Sequence, residues 1–368
     1  MSKPRLIAFY LPQYHPTKHN DEWWGKGFTE WTNVGKAKPL FFGHQQPKVP
    51  ADLGYYDLRL PEVRAAQAEM ARDAGIEGFC YYHYWFGVGH EELDMPFKEV
   101  VRLKEPDFPF CLCWANESWH KKFWNSNGLS AKEIIAEQKY DDMEGNKVHF
   151  YNLLDAFKDS RYIKVDGRLV FAIYKPLHFQ DFESFKQQWN SLAQKEGLKG
   201  FFFIGQTYDE PDINTILAKG FDAVNIIRLW DCFGKNRVEK WIMRQVRRVF
   251  RMPRIVSYKK VLGKLIGTRE LENNVIPTII PNWDHTPRSG IGGTVITGST
   301  PLLFSKHVKK VFEVVKRKMH EECLVFLKSW NEWGEGNYME PDLLWGHQYL
   351  EALKHVEYKQ EFNDECNE

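Results

Sequence analysis

Eight short apolar runs recur along the chain, each followed by a stretch with helical spacing, and this alternation restricts the fold more than any other feature. The runs are LIAFYLP (6–12), GFCYYHYW (78–85), FPFCLCWAN (108–116), RLVFAIYKP (168–176), GFFFIGQ (200–206), DAVNII (222–227), VIPTIIPNW (275–283) and LVFLKSWNEW (324–333). Amphipathic stretches at about 61–74, 95–104, 142–157, 181–196, 211–219, 237–250, 301–319 and 345–356 predict the helices. Strands separated by helices run parallel, because a parallel pair needs a long crossover. Near-continuous apolar strands fit burial on both faces. Eight such units predict an α/β fold, a single (β/α)8 TIM barrel with long βα loops. An open doubly wound sheet fits less well, since no Gly-rich phosphate fingerprint follows the first run. No low-complexity linker divides the chain, so residues 1–368 are expected to form one domain whose polar tail, about 357–368, frays. VDGR (165–168) predicts a hairpin turn before the fourth strand.

In a barrel of this kind the function sits at the C-terminal ends of the strands, and polar and aromatic residues gather there. The first strand ends in Tyr10, Gln13, Tyr14 and His15, and DEWWGKGFTEW (21–31) follows. The second ends in His83, Tyr84 and Trp85, and the third in Trp114, Asn116, Glu117 and Trp119. Later strands bring Tyr174, Gln206, Arg228, Trp230, Asp231, Asn282, Trp283 and Asp284. The eighth runs into NEWGEG (331–336), where Glu332 and Glu335 stand three apart among glycines. A continuing strand would send the two carboxylates to opposite faces, whereas a glycine-broken turn lets them converge on one cavity. Paired carboxylates suit glycosidic bond chemistry, one protonating the leaving oxygen and the other acting as base or nucleophile. From their places at strand ends, Tyr10, His83, Trp85, Trp114, Asn116 and Tyr174 are expected to line a sugar cleft, with Asn331 orienting Glu332.

Composition narrows the partners. A net charge of +1 argues against nucleic acid, while 14 Trp, 16 Tyr and 26 Phe supply the flat rings that stack on sugars. The six cysteines form no CxxC pair, and no carboxylate–His spacing makes His15 or His83 a metal ligand, so no metal and no cofactor are expected. The opening residues lack the pattern of a secretory signal, and no apolar run is long enough to span a bilayer. A reducing cytoplasmic location is expected. Within the segment 237–269, eight basic side chains accumulate between Arg244 and Lys264. They read as a solvated helix face or as a surface for peripheral contact with anionic lipid or a phosphate-linked glycan carrier.

NEWGEG (331–336), AFYLPQYHP (8–16) and WANESW (114–119) resemble glycoside hydrolase family 99 and its relatives. With DEWWGKGFTEWTNV and FCYYHYWF, the chain is similar more specifically to the WbsX-type group, labelled glycosyltransferase and associated with O-antigen and other surface-polysaccharide loci. The resemblance implies a metal-independent barrel related to endo-α-mannosidases that cleave α-linkages with retention. It places the catalytic glutamates on Glu332, as base toward the sugar 2-hydroxyl, and Glu335, as general acid and then base. Gly334 stands where those mannosidases carry His, which opens the sugar preference. The leading expectation is a retaining glycoside hydrolase acting on an oligosaccharide or polysaccharide. Its alternatives are a glycosyltransferase of lipopolysaccharide or O-antigen biosynthesis and a non-catalytic glycan-binding barrel.

Overall fold

The computed structural model describes residues 4–124, 130–230, 245, 249–318 and 323–356. Its parallel strands are β1 (Arg5–Tyr10), β2 (Gly78–Gly87), β3 (Phe110–Trp114), β4 (Arg168–Ile173), β5 (Phe201–Thr207), β6 (Ala223–Ile226), β7 in two pieces (Val275–Ile276 and Thr278–Ile279) and β8 (Leu324–Leu327). Each pairs in parallel with its neighbour in sequence, and β8 pairs with β1. The two pieces of β7 close the ring: Val275–Ile276 pairs with β6 and Thr278–Ile279 with β8. Pro277 between them has no N–H to donate, but its carbonyl accepts from Phe326 N at 3.1 Å. The fold is a parallel α/β barrel.

The helices α1 (Pro61–Asp73), α2 (Met95–Leu103), α3 (Met143–Asn152), α4 (Phe182–Lys195), α5 (Asp212–Ala218), α6 (Pro301–Lys316) and α7 (Gln348–Lys354) form the outer layer. In α6, Phe304, His307, Val308, Val311, Phe312 and Val315 are buried, the stripe of a helix lying on a sheet. The turn before β4 is present: Lys164–Val165 pairs antiparallel with β4, with positive φ at Asp166 and Gly167 (50° and 74°). Two positive φ values are what a tight hairpin of right-handed twist demands.

Strand alternation sorts side chains between the barrel interior and the helix layer. Phe9 faces inward, stacked on Phe326 and Tyr82 at 4.7 and 5.5 Å. Its neighbour Tyr10 faces out, donating to Gln67 of α1 at 2.7 Å. Two predicted strands end earlier than expected. The seventh stops at Ile279, and Trp283–Asp284 joins a small side sheet with Thr294–Thr297 and Arg254–Ser257. The eighth stops at Leu327 because the chain veers toward β1: Lys328 N donates to Ile279 O, and Trp330 N to Phe9 O.

Most of the helix expected at 237–250, with Arg244, Arg247 and Arg248, lies outside the described residues, as do Asp231 and the tail 357–368. Lys259, Lys260 and Lys264 are exposed. Cys80, Cys111, Cys113 and Cys323 are free thiols. Among the described residues no helix is long and apolar enough to cross a membrane.

Candidate active site

Past β8 the chain makes a compact turn. Asn331–Glu332 pairs antiparallel with Asn337–Tyr338, Trp333–Glu335 forms one 3-10 turn, and Gly336 takes φ of 52°. A Cβ at Gly336 would also lie 2.6 Å from that of Asp284, so glycine is required twice over. The Asn331 amide fixes the turn to the end of β1, accepting from Leu11 N at 2.8 Å and donating to Leu11 O at 3.0 Å, as a strand partner would. Tyr14 adds a clamp, its hydroxyl donating to Asn331 O and accepting from Trp333 N at 3.1 Å.

Behind the turn, Glu340 accepts from Trp333 Nε1 (2.6 Å), Tyr56 OH (2.9 Å) and Gln67 Nε2 (2.6 Å). Burial raises its pKa to about 7 despite these donors. The bracket is continuous, because Gln67 also accepts from Tyr10.

The turn brings Glu332 and Glu335 together around shared cations. Arg288 Nη1 lies 2.6 Å from Glu335 Oε1 and 3.9 Å from Glu332 Oε1. The other oxygen of Glu332 accepts from Ser329 Oγ at 2.9 Å and Lys328 Nζ at 3.3 Å. Lys328 also donates to Tyr82 OH at 3.3 Å. His285 Nε2 stands 3.6 Å from Glu335 Oε1. Burial by itself would raise the Glu335 pKa, but the charges of Arg288, Lys328 and His285 outweigh it and hold the carboxyl below its ordinary range. Lys328 is only 3% exposed. Burial opposes its charge, yet Glu332 and Glu335 prevail and its pKa is raised. Burial lowers the His285 pKa, favouring the neutral imidazole.

A third carboxylate completes the cluster. Glu30, 2% exposed in a short helix of the first long loop (Glu30–Gly35), accepts from Arg288 Nε at 2.8 Å. A Cβ added at Gly334 would meet Glu30 Oε1 at 1.8 Å and Arg288 Nε at 3.1 Å. The Glu30–Arg288 pair thus occupies the space a side chain at 334 would need.

Of the residues expected at the site, the structure brings Glu332 and Glu335 together around Arg288, with Tyr174 near Lys328. The Tyr174 ring lies 4.5 Å from Lys175 Nζ and 6.4 Å from the ring of Tyr208, and Lys328 acts on its phenol electrostatically. Tyr10, His83, Trp85 and Trp114 face the helix layer instead. His83 Nε2 hydrogen-bonds His149 Nε2 of α3 at 2.8 Å, Trp85 stacks on the same His149, and Trp114 packs on Phe185 of α4. Asn116 braces the ends of β3 and β4, bonding Lys175 N, Lys175 O and Tyr140 OH. The side chain of Asn331 ties the turn to β1 rather than touching Glu332. Because period 2 puts the odd residues of β2 outside, Tyr82 and Tyr84 are the ones that face in. Burial raises both phenols, and Glu332 raises them further.

Sequence reasoning missed Glu30, Tyr82, His285, Arg288, Lys328 and Ser329. A lysine in the apolar run LVFLKSW was the available signal for Lys328; nothing local marks Arg288. A cavity of about 280 Å³ near Gly336, walled by His44, Lys48, Trp283, Asp284, Trp345 and Tyr349 among others, includes neither carboxylate of the pair. Among the described residues the grouping of metal-type ligands is His19, His90 and Glu92, which includes neither Glu332 nor Glu335.

Comparison with known proteins gives this geometry a context. A family model described as "Glycosyltransferase WbsX" matches residues 6–353. The protein WxcX of Xanthomonas campestris pv. campestris is 32% identical over 361 residues, covering 95% of this chain and 49% of that protein. WxcX of strain B100 matches to the same extent. The chain thus spans about half the length of the curated relatives it matches. Among solved structures, a glycoside hydrolase-like protein is similar with a TM-score of 0.60 and 15% identity, over 97% of this chain and 94% of that one. A family 99 endo-alpha-mannosidase from Bacteroides thetaiotaomicron has a TM-score of 0.52 at 14% identity, over 96% of each chain. At such identities the likeness shows the fold alone.

Proposed function

The chain belongs to the WbsX glycosyltransferase family, and from that premise we propose that it is a retaining glycoside hydrolase acting on α-linked sugars of a surface polysaccharide or its precursor. The observation that supports this most is the convergence of Glu332 and Glu335 on Arg288, in a tyrosine-lined mouth at the C-terminal ends of the strands. Ser329 and Lys328 hold one oxygen of Glu332 and leave Oε1 as the base toward a sugar 2-hydroxyl. Glu335 gives a proton to the leaving oxygen and later takes one from water. At rest Arg288 keeps Glu335 ionised, so it must take a proton from solvent before it acts as the acid; the neutral imidazole of His285, 3.6 Å away, can relay that proton by accepting at one nitrogen and releasing from the other. Tyr82, Tyr84, Tyr174 and Tyr208 offer apolar faces and phenol donors to the sugar. Exposed Lys259, Lys260 and Lys264 would let the protein rest on an anionic lipid surface or a phosphate-linked carrier in the cytoplasm.

A second reading, glycosyl transfer from a phosphate-activated donor, is favoured by the same ionised Glu335, since a phosphate leaves without needing a general acid. The two part in one experiment. Purified protein is incubated with defined α-linked mannose- and rhamnose-containing oligosaccharides, with and without nucleotide-sugars, and the product anomer is followed by NMR. Hydrolysis predicts donor-independent fragments whose first-formed anomer is α. Turnover only with a donor overturns that reading in favour of transfer, and glycan binding without turnover in either arm overturns both.

A further inference from the structure

We propose that His19, His90 and Glu92 form a binding site for one divalent transition-metal ion of the zinc class, clipping the first long loop to the hairpin that follows β2. His19 lies in the short helix Lys18–Trp24, and His90 and Glu92 alternate on the strand His90–Glu92, which pairs antiparallel with the end of β2. Residues two apart on a strand share a face, so His90 and Glu92 present their side chains together and His19 closes over them. Both imidazoles address the same carboxylate oxygen: His19 Nδ1 contacts Glu92 Oε1, and His90 Nε2 lies 2.9 Å from it. One ligand atom from each of the three residues lies within 4.8 Å of the others.

Charge and burial support the assignment. The Glu92 side chain is 5% exposed, and its ion-pair partners among the described residues are these two imidazoles. A carboxylate taken out of water needs hydrogen bonds or a compensating cation. Two imidazole nitrogens and one carboxylate are a ligand set that zinc takes, with further positions left to water. The imidazoles face the protein on one side and lie 43% and 35% exposed on the other, so an ion has a way in.

The site is at the rim, not at the carboxylate pair. Glu92 lies opposite Tyr84 in the ladder. His19 stacks on Trp23 at 5.4 Å, and Trp23 meets Trp119 edge to face at 5.8 Å. A bound ion would therefore hold Trp23 and, through it, Trp119 against Tyr84, while taking no part in bond cleavage. Sequence inspection does not find such a site because its ligands come from separate loops, His19 and Glu92 being 73 positions apart.

The test uses the full chain without an affinity tag, stripped with chelator and titrated with Zn²⁺ by calorimetry and with Co²⁺ by its visible ligand-field bands. The expected result is one saturable site per chain and a Zn²⁺-dependent rise in Tm. His90→Ala and Glu92→Gln should each weaken binding by more than about tenfold. His19→Ala, at the most exposed of the three positions, serves as the variant whose fold is least disturbed, checked by circular dichroism. Absence of saturable binding in the unsubstituted chain, or undiminished binding in His19→Ala and in the folded members of the other two, overturns the proposal.

Discussion

At the scale of single residues, the site is a branched chain of opposite charges: Arg288 meets Glu30, Glu335 and Glu332, and Glu332 in turn meets Lys328. Arg288 is the link between the first loop and the turn after β8. The folded Glu335 pKa is depressed, so the stability its pairing contributes is present above the ordinary carboxyl pKa of about 4.3 and is lost as pH falls through the folded value. Arg288→Gln removes the largest opposing charge, and Glu335 should then titrate at higher pH. We expect the alkaline limb of the pH–rate profile, which reports the general acid, to move upward in this variant; superimposable profiles would remove Arg288 from control of Glu335. Gly334 gives a second prediction at the same scale. Gly334→Ala drives a methyl into Glu30 and should cost about 1–3 kcal/mol, the usual range for overpacking. Combining it with Glu30→Ala should recover part of that loss in chemical denaturation, because the clashing atom is gone. Strictly additive losses would show that the two positions do not compete for space.

At the scale of elements, alternation decides which residues of a strand can act. On β2 the inward Tyr82 meets Lys328, while the outward His83 meets His149 of α3. Tyr82→Phe removes the hydroxyl that accepts from Lys328 and should lower kcat by about tenfold, the worth of one hydrogen bond, and leave Tm nearly unchanged. Tyr10→Phe should do the reverse, losing the bond to Gln67 and about 1 kcal/mol of stability with kcat kept. Parallel measurement of kcat and denaturation checks the pair, and a kinetic loss confined to Tyr10→Phe would contradict the assignment of faces. This is also where the sequence stops being readable. GFCYYHYW announces a strand because it is apolar throughout, as strands covered on both faces are. That same uniformity hides which parity faces in, and Tyr10, His83, Trp85 and Trp114 were all expected inside yet lie against helices. The turn at 331–336 was legible for a different reason: its glycines mark where the strand must break. Glu30 and Arg288 were not, since a contact between residues 258 positions apart leaves no local pattern.

At the scale of the whole molecule, the barrel closes through a broken seventh strand, and the turn after the eighth is held from behind by Glu340. That carboxyl titrates at about 7 in the fold because burial outweighs its three donors. A raised folded pKa contributes stability that is full below the unfolded value, about 4.3, and is lost as pH rises through the folded one. The stability advantage of the native chain over Glu340→Gln should therefore shrink between about pH 5 and pH 8, by on the order of 3 kcal/mol. Urea denaturation across that range measures it, and a pH-independent difference would contradict the account. The central claim is that Glu332 and Glu335 together perform the bond cleavage, and the most direct test compares turnover and glycan binding in Glu332→Gln and Glu335→Gln. The account predicts that both variants bind glycan with near-native affinity and lose turnover; a normal rate in either would contradict it.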